Sequence, residues 1–540
     1  DAAAELFVDR ASALRPDFTA GEKAMPAIER VCSKLGGVPL AIELAAAQLA
    51  THMSALDPEN VHLDTEHFRS LSALLEWSYL SLEPAAQRIF ARCGVFGDTF
   101  TLDACETIAG EGENTAAIDE MVRKALLKYD AGVRGPRFRM HPVVREYALE
   151  RLNELGEAVP TRKRFCDYYC ALAQRIWREY DTDVPAHLEE TLPEWNNLRE
   201  ALEITLERRA AVEEGCRAVF ALNEFWTNSG RLTEARYWIL NALEVAPTAE
   251  IRDELTYAAA LNAHGRGDFV ELESLCRRLV ETYEREKNPA RLARALNGLA
   301  NARYRLGDSD EAEAIYWRAL EQYRAVGDRH GEAVALMNLG ALKADRVMDY
   351  DQARRYFLES LAIFVEFGPS WNVGTLLANL AEIESRQGDH RRALDYAQKS
   401  RAVFEQLGNQ GLAAWQMINI AQFYLELHDR ASASAALREA RAARSEQLLS
   451  NEHAAAYLDV AFMTATDAGD YELAATIYGH TAQFRDLHLV SRSASEESVV
   501  EPRYRVLASA LPEETIGRLM LEGESLDEDA IDLRLDRIAL

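Results

Sequence analysis

The chain has 540 residues, enough for several domains with their own cores, and its 48% hydrophobic and 27% charged content is ordinary for a globular fold. A net charge of −28 speaks against broad nucleic-acid binding by the chain as a whole. Seven scattered cysteines without CxxC spacing read as reduced thiols of a cytoplasmic protein, and no window reads as a signal peptide or a membrane span.

The chain begins at Asp1, without methionine and already in a helical pattern, so an upstream segment is expected. Residues 1–52 read as all-helical. In AMPAIERVCSKL the apolar residues recur with helical spacing. Gly36 and Gly37 suit a left-handed cap that ends this helix, and Pro39 suits the first turn of the next. That next helix, PLAIELAAAQLA, is very apolar but too short to cross a membrane, so burial in protein is expected. The Gly-Val-Pro corner reads either as a tight turn in a core or as a rigid corner facing a ligand. Residues 53–66 are polar and without period, which places a linker there.

Residues 67–157 bring a different pattern. Leu74, Leu75, Trp77, Ser78 and Leu80 share a helix that ends near Leu82, and Pro84 opens another that buries Ile89 and Phe90. TLDACETIAG and TAAIDEMVRKALL read as two further helices. Two short runs, Leu126–Tyr129 and Phe138–Met140, flank the turn-rich AGVRGP and read as a β-hairpin, followed by the helix HPVVREYALERLNEL. Helices closed by a terminal hairpin make a winged helix. Many winged helices bind DNA, and residues 121–165 hold eleven Lys and Arg against five Asp and Glu. The alternative is docking within the molecule. The candidate recognition helix carries Asp119, Glu120 and few polar readers, which favours docking and no direct DNA binding.

Residues 160–245 read as a helical linker with the first repeat-like helices. Cys166 and Cys170 lie one turn apart, but no histidine completes a metal site. Repetition then organises 246–485. The turns GDSDEA, MDYDQA, GDHRRA, HDRASA and GDYELA place Asp308, Asp349, Asp389, Asp429 and Asp470 at spacings of 41, 40, 40 and 41. Asp268 extends the series by 40, and Gly230-Arg231 is a looser member. Four residues after each anchor stands Ala235, Leu272, Ala312, Ala353, Ala393, Ala433 or Ala474, mostly small residues that let helices approach closely. Each unit reads as helix, turn, helix: a tetratricopeptide pattern of about 40 residues that stacks into a superhelix with a concave face. Asn297, Asn338, Asn379 and Asn419 recur on the first helix of successive units. They read either as amides that satisfy neighbouring helix ends or as a ladder that holds a peptide backbone, and the first is favoured. Tyr304 and Trp371, aromatics on the groove side, read either as core packing or as ligand contacts, and the first is favoured. Residues 486–540 read as a helical cap, with a capping box at Ser525 and Glu528.

These pieces together resemble the NB-ARC-type STAND proteins (signal-transduction ATPases with numerous domains). LGGVPLAIELAAAQLA resembles their Gly-Leu-Pro-Leu-Ala motif, LLEWSYLSLEPAAQRIFARCGVF the start of their winged helix, and FRMHPVVREYALERL their Met-His-Asp motif. LFVDRASALRPDF resembles the helical-domain entry, EWNNLREALE the segment leading into their repeats, and AATIYGHTAQF and GESLDEDAI match bacterial LuxR-type and antibiotic-regulatory members. The resemblance implies that Pro39 packs against the adenine of a bound nucleotide. It implies that His141 reaches the β-phosphate of ADP, with ADP or ATP and Mg held by the intact parent. Pro142 stands where the family often has aspartate.

No G-x-x-x-x-G-K-[ST] loop occurs in the chain, so no ATPase activity and no cofactor are expected of it alone. The expectation is a mainly α protein: a helical lid, a winged helix with a small hairpin, then an α-solenoid of tetratricopeptide-like repeats. It would be the regulatory part of a bacterial STAND ATPase, partnered by an upstream nucleotide-binding domain. A protein, peptide or small-molecule inducer would bind the repeats, and activation would lead to homo-oligomers. The rival is a standalone peptide-binding scaffold without nucleotide dependence. A Cys–His enzyme would need Cys93 or Cys105 beside His141, and both cysteines read as core.

Overall fold

A computed structural model describes residues 2–16, 18, 24–52, 70–110, 114–132, 135–177, 184–445 and 449–535. The linker expected over 53–66 lies outside the described residues. The chain forms two compact units, Asp1–Asp268 and Phe269–Leu540. Among the described residues, no helix is long and apolar enough to cross a membrane.

The first unit opens with α1 (Ala2–Leu14), α2 (Met25–Lys34) and α3 (Pro39–His52). Ala4, Phe7 and Ala11 form the buried stripe of α1, which packs on α3. As expected, Gly36 and Gly37 both take left-handed φ, at 63° and 69°, and the Gly37 N–H closes onto Cys32 O at 3.0 Å. Restarting at Pro39, α3 buries Leu40, Ala41, Ile42 and Leu44 through Ala47.

Next come α4 (Leu71–Leu80), α5 (Pro84–Cys93), β1 (Phe100–Thr101), α6 (Leu102–Ala109), α7 (Asn114–Arg123), β2 (Lys128–Gly132), β3 (Gly135–Arg139) and α8 (Pro142–Glu154). The expected hairpin is present as β2 and β3, but its strands extend into the expected turn and leave out Leu126, Leu127 and Met140, and the sheet has a third strand. Its order is β1-β3-β2, all antiparallel, with Phe100 paired to Phe138. At two residues, β1 is too short to leave a period in the sequence. It is held by aromatic packing instead: Phe100 stacks on Phe96 with ring centroids 4.1 Å apart. The helix expected over TAAIDEMVRKALL stops at Arg123, because Ala125 turns to a left-handed φ of 58°.

The unit continues with α9 (Ala158–Ile176), α10 (Val184–Thr191), α11 (Trp195–Leu202), α12 (Val212–Asn228), α13 (Leu232–Val245) and α14 (Ala249–Gly265). A π-helical turn over Glu203–Glu207 extends α11. All seven cysteines are buried free thiols, and burial pushes the Cys166 thiol up to about 12.

The second unit is a series of helices: α15 (Phe269–Glu286), α16 (Pro289–Leu306), α17 (Ser309–Val326), α18 (Arg329–Leu342), α19 (Tyr350–Glu366), α20 (Trp371–Arg386), α21 (His390–Gln406), α22 (Gln410–Glu426), α23 (Arg430–Ser445), α24 (Asn451–Ala468) and α25 (Tyr471–His488). Each packs on its sequence neighbours. The repeated aspartates are N-caps. Asp308, Asp349, Asp389, Asp429 and Asp470 each accept the backbone N–H three residues on, at 3.3, 3.0, 3.1, 3.1 and 3.1 Å. The turns between repeats are capped the same way, by Asn288, Asp328, Ser370, Asn409 and Ser450. Ala312, Ala353, Ala393, Ala433 and Ala474 are all fully buried, as their spacing implied.

The end of the unit is α26 (Ala494–Ala510), α27 (Glu513–Glu524) and α28 (Glu528–Leu535). The capping box expected at Ser525 is not made. The Ser525 hydroxyl donates back to Glu522 O at 2.7 Å, and Asp527 Oδ1 accepts the Ala530 N–H at 2.8 Å. A full capping box forms instead at Ser493 and Glu496. Glycines explain AATIYGHTAQF and GESLDEDAI. A Cβ on Gly479 would collide with Met520 backbone, and one on Gly523 with the Thr476 carbonyl, so α25 and α27 pack backbone to backbone.

Gly523→Ala is therefore expected to cost at least about 2 kcal/mol in urea unfolding. Gly517→Ala, on the open face of the same helix, is expected to be neutral or stabilising by up to about 1 kcal/mol. Equal effects would contradict the backbone contact.

Candidate functional site

In the first unit the Gly-Val-Pro corner faces solvent: Gly36, Gly37, Val38 and Pro39 are all exposed. His141 is exposed too, and it caps α8. Its Nδ1 accepts the Val143 N–H at 3.4 Å. The ring proton is then on Nε2, which leaves an N–H donor at the positive end of a 13-residue helix. One ion pair ties the two features to the same part of the unit. Glu43, one turn along α3 from Pro39, accepts from Lys128 Nζ at 3.0 Å, and Lys128 pairs across the ladder with Arg139, two residues before His141.

The basic residues of the winged helix are largely spent inside the unit. Lys124 pairs with Glu120 at 2.9 Å and donates to Ser81 Oγ at 2.9 Å. Arg164 Nε donates to Ile108 O at 2.8 Å. Arg137 Nη1 pairs with Glu194 at 2.6 Å, and Arg145 Nη2 reaches both Glu200 oxygens at 2.7 and 2.8 Å.

Those two carboxylates belong to EWNNLRE, and the rest of that segment completes a clamp. Fully buried Asn197 accepts the N–H groups of Gly97 and Asp98 at 2.9 and 3.3 Å and donates to Thr99 O at 2.8 Å. Asn196 donates to Asp98 Oδ2 at 2.6 Å. A Cβ on Gly97 would meet the Glu200 carboxylate, which would have to shift from its place beside Arg145. The sequence singled the segment out by resemblance, but periodicity gave no sign of its partner about a hundred residues upstream.

In the second unit the four asparagines fall on first helices and are all half-buried. They do not behave alike. Asn338 Nδ2 donates to Asn297 Oδ1 at 3.1 Å, one repeat to the next. Asn379 and Asn419 have no side-chain hydrogen bond among the described residues. One turn before Asn419, Trp415 stacks on His453 at 4.3 Å and 15°. Burial lowers the His453 pKa below its ordinary value, so the neutral ring is favoured. Tyr304 is half-buried and donates to Asp345 Oδ2 at 2.6 Å. Trp371 departs from the expected core packing. It is 53% exposed, because it is the first residue after the Ser370 cap and lies outside the packed face.

Comparison with known proteins agrees with the repeat architecture. A tetratricopeptide-repeat profile matches residues 291–364 and 332–406. These helix pairs are tetratricopeptide repeats. Over 261 residues the chain is 31% identical to a protein of Mycobacterium tuberculosis provisionally named an HTH-type transcriptional regulator, covering 45% of this chain and 29% of the relative. It is 26% identical over 461 residues to the regulatory protein AfsR of Streptomyces griseus, covering 72% of this chain and 46% of that one. The chain thus spans less than half the length of either regulator. A crystal structure of a STAND protein with a tetratricopeptide-repeat sensor, from Pyrococcus horikoshii, aligns over 96% of this chain and 74% of its own at 15% identity and a TM-score of 0.48, too loose a likeness to carry an assignment.

Asn197→Ala strands three backbone groups in the clamp and is expected to cost about 3 kcal/mol in denaturant unfolding of the first unit. Glu43→Gln removes a pair whose lysine is half-exposed, and is expected to stay within about 1 kcal/mol. An Asn197→Ala protein as stable as the parent would show that the clamp is incidental.

Proposed function

We propose that this chain is the lid, winged-helix and sensor portion of a STAND-type signal-transduction ATPase that acts in transcription regulation. An inducer on the tetratricopeptide repeats would bias a nucleotide-dependent switch. The observation that carries the reading is the paired exposure of Pro39 and His141, tied through Lys128 and Glu43. Pro39 offers a rigid apolar surface for an adenine ring. His141 offers Nε2–H to a phosphate oxygen, at the positive end of α8. The nucleotide, with its Mg, would lie between these residues and a nucleotide-binding domain encoded upstream, and hydrolysis belongs to that domain. The relatives' names as regulators support the transcriptional setting.

The second half of the proposal is that the repeats take a protein or peptide. Asn379 and Asn419 supply unpaired amides on adjacent first helices. By contrast, Asn297 and Asn338 already satisfy each other.

Two measurements test this. The native-length protein should co-purify with ADP, detected by mass spectrometry, and His141→Ala should lower its occupancy at least about tenfold, the loss of one charge-assisted hydrogen bond. A native-length protein free of nucleotide would overturn the switch. Separately, peptides selected from a random phage-displayed library on this chain should lose binding in the Asn379→Ala/Asn419→Ala protein and keep it in Asn297→Ala. Equal binding to both variants would remove the asparagines from the site.

A further inference from the structure

The last three helices are fastened unevenly. The segment entering α26 is anchored in the interior. Asp459 on α24, 3% exposed, takes Arg492 Nη2 at 2.7 Å and Arg485 Nη2 at 2.5 Å. Arg492 also lies over the Tyr478 ring, 5.2 Å from its centroid. The segment leaving α26 is anchored as well, because α27 is pressed backbone to backbone on α25 through Gly479 and Gly523.

Between these anchors α26 has little apolar hold. Among its described side chains only Val500 and Leu507 are fully buried. Pro502 sits inside the helix and removes one backbone hydrogen bond. The middle of α26 carries one ionic anchor, Arg503, beside the apolar contacts of Val499, Val500, Tyr504 and Leu507. Its guanidinium reaches Glu426 at the end of α22 at 2.9 Å and Asp467 at the end of α24 at 3.1 Å. The ring of Tyr504 adds a contact with Tyr478 at 4.7 Å. Beneath lies α24, which is buried without a break from Ala454 to Thr466.

Local opening is cheapest where few apolar contacts must be broken. The carboxylates that hold Arg503 are 24% and 25% exposed, and ion pairs within reach of solvent weaken in salt. We propose that α26 is a strap over the end of the repeat array, latched by Arg503 to Glu426 and Asp467, that opens while both of its ends stay fastened. Opening uncovers the part of α24 it packs against and leaves α25 and α27 in place. Access to the most deeply buried helix of the array is thereby set by an ionic latch.

Hydrogen exchange read by mass spectrometry on the full chain tests this. Amides of α26 should exchange at least about tenfold faster than those of α24, α25 and α27, and raising NaCl from about 0.05 to about 1 M should accelerate α26 alone. Glu426→Gln/Asp467→Asn should bring a further acceleration confined to α26. Exchange of α26 in step with α25 and α27, or acceleration of α27 together with α26, would overturn the strap. The salt series uses the unmodified protein, so the test stands even if the double variant folds poorly.

Discussion

One buried amide organises the first unit. Asn197 spends its oxygen on two backbone N–H groups and its nitrogen on a backbone carbonyl, all within the three residues Gly97, Asp98 and Thr99. Each of those groups would cost about 1–3 kcal/mol if left buried and unpaired. The turn of the winged helix and the start of α11 are therefore fixed to each other. Glu194 and Glu200 then take two arginines of the winged helix from either side, and Gly97 supplies the room. Arg137 and Arg145 are thereby turned inward against this segment instead of facing a polyanion. The winged helix and the helices that follow it are thereby tied together within one compact unit.

The second unit rests on a different constraint. Every helix start must satisfy its free N–H groups, and here a side-chain oxygen does so at turn after turn. Each cap is worth about 1 kcal/mol. With an alanine four residues later, the cap fixes both where a helix begins and how closely its neighbour can lie. The repeat follows from this pair. Within one column of identical residues, Asn297 and Asn338 close on each other, while Asn379 and Asn419 make no side-chain hydrogen bond among the described residues.

What was legible in the sequence was what depends on neighbours along the chain. The glycine pair before Pro39, the aspartate caps and the buried alanines are local signals, and each stands where its spacing placed it. The resemblance singled out Pro39 and His141, and both are exposed at helix starts. Illegible were the long-range features. The strand at Phe100 exists because Phe138 pairs with it and Phe96 stacks on it. The clamp exists because residues about a hundred apart supply complementary donors and acceptors. The cap at Asp527 won over Ser525 because the Ser525 hydroxyl turned back to its own helix. Trp371, an aromatic in an apolar pattern, is exposed because one residue of offset from a cap moves a side chain off the packed face.

The claim on which the account turns is that the winged helix and α11 form one body. The exchange rates of the Gly97 and Asp98 amides, followed by NMR or by fragmentation mass spectrometry, measure it directly. Both donate to Asn197, so both should exchange only with cooperative unfolding of the first unit, at the rate of its slowest core amides. If instead they exchange through a low-energy opening while the amides of α9 and α11 stay protected, the two parts separate independently, and the coupled-body account fails.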